Sequence, residues 1–189
     1  MNFCSTCGEK VNITIPEGDN RPRHTCGSCG VIHYQNPKMV VGCLVEHDNK
    51  ILLCKRAIEP RYGLWTLPAG FMENDETTMQ AAQRETQEEA CAGVEVVELF
   101  TMFSLPHIDQ VYMLYRANFK EPGYSSGPES LEVELFDEAD IPWNEIAFPV
   151  ITESLKRYFA DRKKGRFRIH TGAMIKKSNK FHVTVLSDD

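Results

Sequence analysis

The chain has 189 residues, which is enough for one well-packed domain and a small appendage. Charged residues make up 25% and hydrophobic residues 42% of the chain, a composition typical of soluble proteins. The formal net charge of −6 argues against a generic nucleic-acid binder, because binding to phosphate backbones requires a basic face.

Neither a membrane span nor a targeting segment is predicted. A span needs a run of about 18 apolar residues, which the chain lacks. The first residues, MNFCSTCGEK, contain neither the apolar core of a signal peptide nor the Arg- and Ser-rich pattern of a transit peptide. We therefore expect a cytoplasmic protein that has no membrane partner.

The first unit, residues 1–35, contains two C-x2-C pairs, Cys4 with Cys7 and Cys26 with Cys29. Each pair can bind Zn²⁺ through two thiolates, and both pairs together complete a tetrahedral site. A glycine follows each pair and permits the tight turn that such a site needs. Disulfides are the alternative, which the cytosol disfavours. We predict a zinc ribbon in which structural Zn²⁺ drives folding, because apolar residues are few here.

A zinc ribbon can also bind nucleic acid, so two roles are possible for this unit: nucleic-acid recognition, or a structural or dimerisation role. Basic and acidic residues are nearly balanced within 1–35, and no strong basic patch is present. We favour a structural or dimerisation role on these charge grounds.

The next elements are two strands. The near-continuous apolar run MVVGCLVE (39–46) predicts a central strand that is buried on both faces. HDNK follows as a turn, and ILLCKR (51–56) is predicted to be the hairpin partner. Cys43 and Cys54 in these strands, and Cys91 further on, are expected to be reduced core residues.

Residues 76–91 form the best helix candidate, since they lack Pro and Gly and are rich in Ala, Gln and Glu. Gly93 is predicted to stop this helix. Helical spacing places Glu85, Glu88 and Glu89 on one face. Like charges at that spacing repel one another, so the face predicts a bound cation.

The second half of the chain is predicted to contain strands and one more helix. Periodicity predicts strands at 94–103, 110–119 and 131–136 and an amphipathic helix at 149–165. Within LEVELF, Leu131, Val133 and Leu135 alternate with other residues, which predicts one apolar face. The tail 166–189 has short β-prone pieces, and we assign it no fold.

Gly70, Glu76, Arg84, Glu85, Glu88 and Glu89 give the spacing G-x5-E-x7-R-E-x2-E-E. This segment resembles the Nudix box, the signature loop and helix of the Nudix hydrolase family, although Cys91 stands where that pattern usually has Gly. The order of elements from about 37 to 160 is also similar. The resemblance implies an α/β fold, a Nudix-type α/β/α sandwich with a mixed β-sheet. It further implies three parts: the zinc ribbon 1–35, a Nudix domain 36–165 and the tail 166–189.

The resemblance also implies metal-dependent hydrolysis of a pyrophosphate bond, with Mg²⁺ or Mn²⁺ as the cofactor. Hard divalent cations prefer oxygen ligands, and the carboxylates of the acidic face can supply them. The implied metal ligands are Glu85, Glu88 and Glu89 with the carbonyl of Ala69 or Gly70. Arg84 and Glu76 are implied to hold these glutamates in position.

Six other residues are candidates for the site, and for each the alternative is an ordinary role on the surface or in packing. Arg56 can contact a phosphate. Glu129 or Glu132 can serve as a further metal ligand or as the general base. Three aromatic residues can stack on adenine or flavin, and these are Tyr62, Trp65 and Phe71.

The substrate is inferred from resemblance alone. Zinc ribbons precede the Nudix domain of NADH pyrophosphatases, but the SQPWPF-like stretch of that subfamily is missing. FSLPHI places Pro106 as in ADP-ribose pyrophosphatases, and residues 1–175 resemble the FAD/ADP-ribose pyrophosphatase branch. We expect a homodimer that converts FAD or ADP-ribose to AMP plus FMN or ribose 5-phosphate. The alternatives are an NADH or NAD-cap pyrophosphatase and, in another class, a non-catalytic nucleotide sensor or zinc-ribbon adaptor.

Overall fold

The computed structural model describes residues 1–177 and 180–185. Its contacts divide the chain into two units, Met1–Pro37 and Lys38–Asp189. The first unit is an antiparallel sheet of three short strands, with β2 in the centre. The strands are β1 (Val11–Thr14), β2 (Arg23–Cys26) and β3 (Ile32–His33).

The second unit is built on one mixed sheet. Its strands are β4 (Lys38–His47), β5 (Lys50–Arg56), β6 (Trp65–Thr66), β7 (Ala69–Phe71), β8 (Val94–Leu105), β9 (Gln110–Phe119), β10 (Ser130–Phe136), β11 (His170–Lys177) and β12 (Lys180–Val185). Their order is β10-β5-β4-β9-β8-β11-β12, with β6 beside β5 and β7 beside β4. The pairs β4/β9 and β8/β11 are parallel and the others antiparallel, so the mixed sheet is confirmed.

Two helices complete the sandwich, α1 (Thr78–Ala90) and α2 (Pro149–Lys164). Side chains of β4 alternate between two apolar clusters, because successive residues of a strand point to opposite faces. Val40 and Leu44 pack in the cluster of α2, whereas Val41 and Cys43 pack in the cluster of α1. The helices therefore cover opposite faces, and the predicted α/β/α sandwich is confirmed.

The predicted hairpin of β4 and β5 is present, with Glu46 opposite Ile51. Asp48 and Asn49 form its turn with φ angles of 49° and 64°. Asp and Asn tolerate this left-handed conformation better than other residues with side chains. The predicted second helix agrees with the observed α2, which begins at Pro149 and is capped by Gly165 with a φ of 65°.

Three details of the predictions were wrong. Cys91 is exposed rather than in the core, and it is the C-cap of α1 with a φ of 47°. Gly93 therefore does not end the helix. Leu131 is 42% exposed, because the register of β10 shifts between Ser130 and Glu132 and breaks the alternation.

The tail forms the hairpin of β11 and β12, and β11 extends the sheet by pairing in parallel with β8. Residues 178–179 and 186–189 of this tail lie outside the described residues. Across the described part of the chain, no helix is both long and apolar enough to cross a membrane.

Candidate active site

A cavity of about 830 Å³ lies in the second unit. One part of its wall is acidic and comes from α1 and the end of β7. Another part is apolar and comes from the end of β8, the start of α2 and β11. A volume of this size is typical of pockets for small molecules.

The acidic part depends on a close approach between β7 and α1. A Cβ atom at Gly70 would overlap the carboxylate of Glu85, so a residue with a side chain there would displace that carboxylate. The N–H of Ala69 donates to Glu89 Oε2 over 3.1 Å. A capping box between Thr77 and Gln80 fixes the first turn of α1. The main chain of β7 and the acidic helix face therefore line the cavity together.

Arg84 donates hydrogen bonds to three acidic side chains. Its Nη1 donates to Glu85 Oε1 over 2.7 Å and to Glu88 Oε2 over 3.1 Å. Its Nε and Nη2 donate to the two carboxylate oxygens of Glu76 over 3.0 and 2.8 Å. Nη2 also donates to the carbonyl of Phe71 over 3.1 Å, which ties α1 to β7. This network supports the predicted positioning role of Arg84 and Glu76.

Burial makes the acidic part of the wall costly to charge. Glu89 is only 5% exposed, and its burial raises its pKa to about 8. Burial also raises the pKa of Glu85 above its usual range, although the Arg84 guanidinium opposes that shift. Repulsion between Glu85 and Glu89 adds to the effect. A cation between these carboxylates would relieve both costs.

Three further predicted residues line the cavity, and they are Arg56, Phe71 and Glu129. Arg56 is buried, donates from Nε to the carbonyl of Pro60 over 3.0 Å, and lies over the ring of Phe148 at 5.2 Å. The carbonyl of Glu129 accepts from the N–H of Ala57 over 2.8 Å. The structure thus brings Arg56 and Glu129 to the same cavity as the acidic helix face.

The other three predicted contacts lie elsewhere, and none of them is among the described residues that line the cavity. Trp65 is buried in the core, where its ring meets Phe136 edge to face at 4.9 Å. Glu132 Oε1 accepts from Lys55 Nζ over 2.8 Å on β10. Tyr62 is 57% exposed. These placements leave Phe71 as the predicted aromatic that can meet a substrate there.

Sequence reasoning missed several residues of the wall. Tyr112 of β9 lies in the cavity, and burial raises the pKa of its hydroxyl. Met174 of β11 also lines the cavity. Alternation along β9 predicts that Tyr112 faces one side of the sheet but not what it meets. Met174 lies in the tail, for which the sequence indicated no pairing.

The four cysteines of the first unit form one cluster. Their sulfur atoms all lie within 4.8 Å of one another, with Cys4 and Cys29 at 3.7 Å and Cys7 and Cys26 at 3.4 Å. A tetrahedral site with Zn–S bonds of about 2.3 Å places its sulfurs about 3.8 Å apart. The N–H groups of the two following glycines donate to the carbonyls of Cys4 and Cys26 over 2.9 and 3.0 Å.

Family models match both units. The model described as "NUDIX domain" matches residues 36–158, and the one described as "Nudix N-terminal", a zinc ribbon, matches residues 2–35. The chain belongs to the Nudix family. A crystal structure of a Nudix hydrolase from Nitrosomonas europaea is 58% identical, with a TM-score of 0.90, and the match covers 93% of this chain and all of that one.

Two curated relatives differ in the activity that their names give. The NAD-capped RNA hydrolase NudC of Vibrio atlanticus is 30% identical over 148 residues, which is 75% of this chain and 51% of that protein. The ADP-ribose pyrophosphatase of Methanocaldococcus jannaschii is 33% identical over 113 residues, which is 58% of this chain and 67% of that protein. The chain thus spans about half the length of the NudC protein that it matches.

Proposed function

We propose that this Nudix protein hydrolyses the pyrophosphate bond of nucleoside diphosphate derivatives in a metal-dependent reaction. FAD or ADP-ribose is the proposed substrate, and the products are AMP with FMN or ribose 5-phosphate. The observation that carries the proposal is the acidic face of α1, which lines a ligand-sized cavity together with β7. Similarity to a curated ADP-ribose pyrophosphatase supports the choice of substrate.

The donor set fits Mg²⁺ or Mn²⁺. Glu85, Glu88 and Glu89 offer carboxylate oxygens to one cavity, and the main chain of Ala69 and Gly70 lies against them. Oxygen ligands on one wall of an open cavity suit cations that share their remaining positions with substrate phosphates. When bound, such an ion neutralises phosphate charge and lowers the pKa of a water molecule.

The remaining side chains can position and activate the reactants. Arg56 is proposed to contact the diphosphate, since it lines the cavity and a guanidinium suits phosphate oxygens. Glu129 is proposed as the general base that takes the proton of the attacking water. Water then adds to one phosphorus while the bridging oxygen leaves with the other, which gives two monophosphates. Arg84 and Glu76 keep the carboxylates in position through the hydrogen bonds described above.

The first unit is proposed to hold one structural Zn²⁺ through Cys4, Cys7, Cys26 and Cys29. The sulfur separations support this assignment, because they are close to those of a tetrahedral thiolate site. We further propose a cytoplasmic homodimer, and light scattering on the purified protein tests its mass.

The experiment is a product assay with Mg²⁺ or Mn²⁺ over FAD, ADP-ribose, NADH and an NAD-capped RNA. Formation of AMP with FMN or ribose 5-phosphate is expected. Glu88→Gln and Glu89→Gln should each abolish turnover without changing Tm by more than a few degrees, whereas Glu132→Gln on β10 should remain active. No AMP from any of these compounds at high enzyme concentration would refute the proposal.

The assay also separates the alternatives. The 30% identity to a NudC protein favours NAD-capped RNA as a second candidate substrate, despite the net charge of −6. If the protein cleaved the capped RNA in preference to the other compounds, NAD-capped RNA would become the proposed substrate in place of FAD and ADP-ribose. A nucleotide that raises Tm but yields no product would instead support a non-catalytic sensor.

A further inference from the structure

The C-terminal hairpin supplies part of the cavity wall. β11 lies outside residues 36–158, the segment that the family model matches. Met174 of this strand nevertheless lines the cavity and is only 2% exposed. An element appended to the family domain therefore shapes the site of the proposed reaction.

The position of β11 is fixed at its start. Residues 170–173 pair in parallel with residues 101–104 of β8. His170 Nε2 and Asp161 Oδ2 lie 2.7 Å apart, and both side chains are buried. Phe100 meets the ring of His170 edge to face at 5.2 Å. Because the strand is paired and anchored, Met174 faces the cavity as part of a fixed wall.

Met174 belongs to an apolar core cluster. Leu105 and Val150 belong to the same core cluster and also line the cavity, together with Ile108 of the short 3-10 helix Pro106–Ile108. The proposed metal ligands described above come from other elements, α1 and β7. A diphosphate suits the acidic part, where cations can bind it, so the apolar part is left for an uncharged group.

We propose that Met174 is a specificity-determining residue that contacts the adenine ring of the substrate. This inference rests on the proposed function, in which FAD and ADP-ribose both carry an adenosine group that is linked to the diphosphate through its ribose. A flexible thioether makes favourable contacts with the edge of an aromatic ring, and burial of the ring against apolar side chains adds to binding.

Met174 also lines a second cavity. This cavity, of about 440 Å³, shares Arg61, Ala147, Pro149 and Met174 with the first. Shortening Met174 removes side-chain volume from this shared wall. A variant with alanine at this position therefore loses the contact with the ring and also holds the ring less tightly in place.

The test measures binding of AMP and of imidodiphosphate by calorimetry in the presence of Mg²⁺. AMP carries the adenine ring, whereas imidodiphosphate resembles the diphosphate alone and is not hydrolysed at its bridge. Met174→Ala should weaken AMP binding about three- to tenfold and leave imidodiphosphate binding unchanged. Met174→Leu, which keeps the apolar volume, should lie close to the parent protein.

Ile175→Ala is the matched control. Ile175 is the next residue of β11, is 40% exposed and is not among the described residues that line the cavity. This variant should bind both ligands as the parent does. Comparison of the two alanine variants separates a contact with the ring from a general effect on the hairpin.

Three results would overturn the inference: equal weakening of both ligands by Met174→Ala, no weakening of AMP, or no AMP binding by the parent protein. Equal weakening would show that Met174 only supports the fold. The failure of the proposed function is distinguishable from these results. A parent protein that binds AMP through Met174 but cleaves no dinucleotide would refute the hydrolase proposal alone.

Discussion

Each of the two units is stabilised internally by a different kind of interaction. In the first unit, Cys4 and Cys26 are the side chains that are fully buried, so the unit has almost no apolar core. The second unit buries two apolar clusters, one on each face of its sheet. A short chain with little apolar burial needs a metal to fold, whereas a unit with two packed layers does not.

Removal of the proposed zinc should have the largest effect on folding. It also tests whether the first unit depends on a metal while the second unit does not. Structural zinc contributes about 10 kcal/mol or more to the folding of small zinc-binding peptides. Chelation or Cys26→Ser is expected to unfold residues 1–37 and leave the second unit folded. NMR amide signals, assigned to each unit, measure this directly. Cys91→Ser is the matched control, and simultaneous loss of both units in the Cys26 variant would contradict the prediction.

A large-to-small change in the core of the second unit should have the next largest effect. Leu155 of α2 is fully buried in the cluster with Phe100 and Leu44. Leu155→Ala is expected to lower the free energy of unfolding of this unit by about 2–5 kcal/mol, because it leaves a cavity. Urea denaturation measures the change. Val97→Ala at an exposed position of β8 should have little effect, and an equal loss there would argue against core burial as the cause.

A smaller effect is expected where a loop closes the end of α1. The N–H of Gly127 donates to the carbonyl of Glu89 over 3.0 Å, and a Cβ there would overlap the carbonyl of Glu88. Gly127→Ala should destabilise the second unit by about 1–3 kcal/mol and reduce turnover, because it displaces the helix end that carries these glutamates. Thermal unfolding and the product assay measure both effects.

Gly93→Ala is the control for that change. Nothing lies within 4 Å of a Cβ at Gly93, and its φ angle is not positive. The control should therefore keep its stability and its turnover. If the two alanine variants behaved alike, the close approach at Gly127 would have no energetic consequence.

The smallest predicted effect is a gain in stability. Cys91 ends α1 in the left-handed conformation, which costs a residue with a side chain about 1 kcal/mol relative to glycine. Cys91→Gly should therefore raise the free energy of unfolding by about that amount, as measured in urea. Cys91→Ala keeps the side-chain penalty and should give no such gain, so a similar gain in both variants would point to the thiol rather than the backbone.

Local patterns predicted most of the fold. The apolar run of β4 indicated a strand covered on both faces, and the Pro and Gly around α2 marked its ends. The spacing from Gly70 to Glu89 predicted the acidic face of α1, since helical geometry follows from the sequence itself. Burial of this face against β7 also depends on the pairing of β7 with β4, which is further away in the sequence.

Other features could not be predicted from local patterns. The bulge before Glu132 exposes Leu131, and a shift in register depends on how two strands pair rather than on either strand alone. Trp65 and Phe71 are both aromatic and close in sequence. Trp65 is buried in the core and Phe71 lines the cavity, because their strands pair with different neighbours.

The sequence by itself determined the acidic helix face, the paired cysteines and the two-layered patterning of the sheet, because these depend on spacing along the chain. Only the tertiary structure decided which residues share the cavity. Arg56, Glu129 and Met174 come from separate parts of the chain, and strand pairing brings them to one cavity. Side chains far apart in sequence meet only when the sheet is assembled, and no local pattern carries that information.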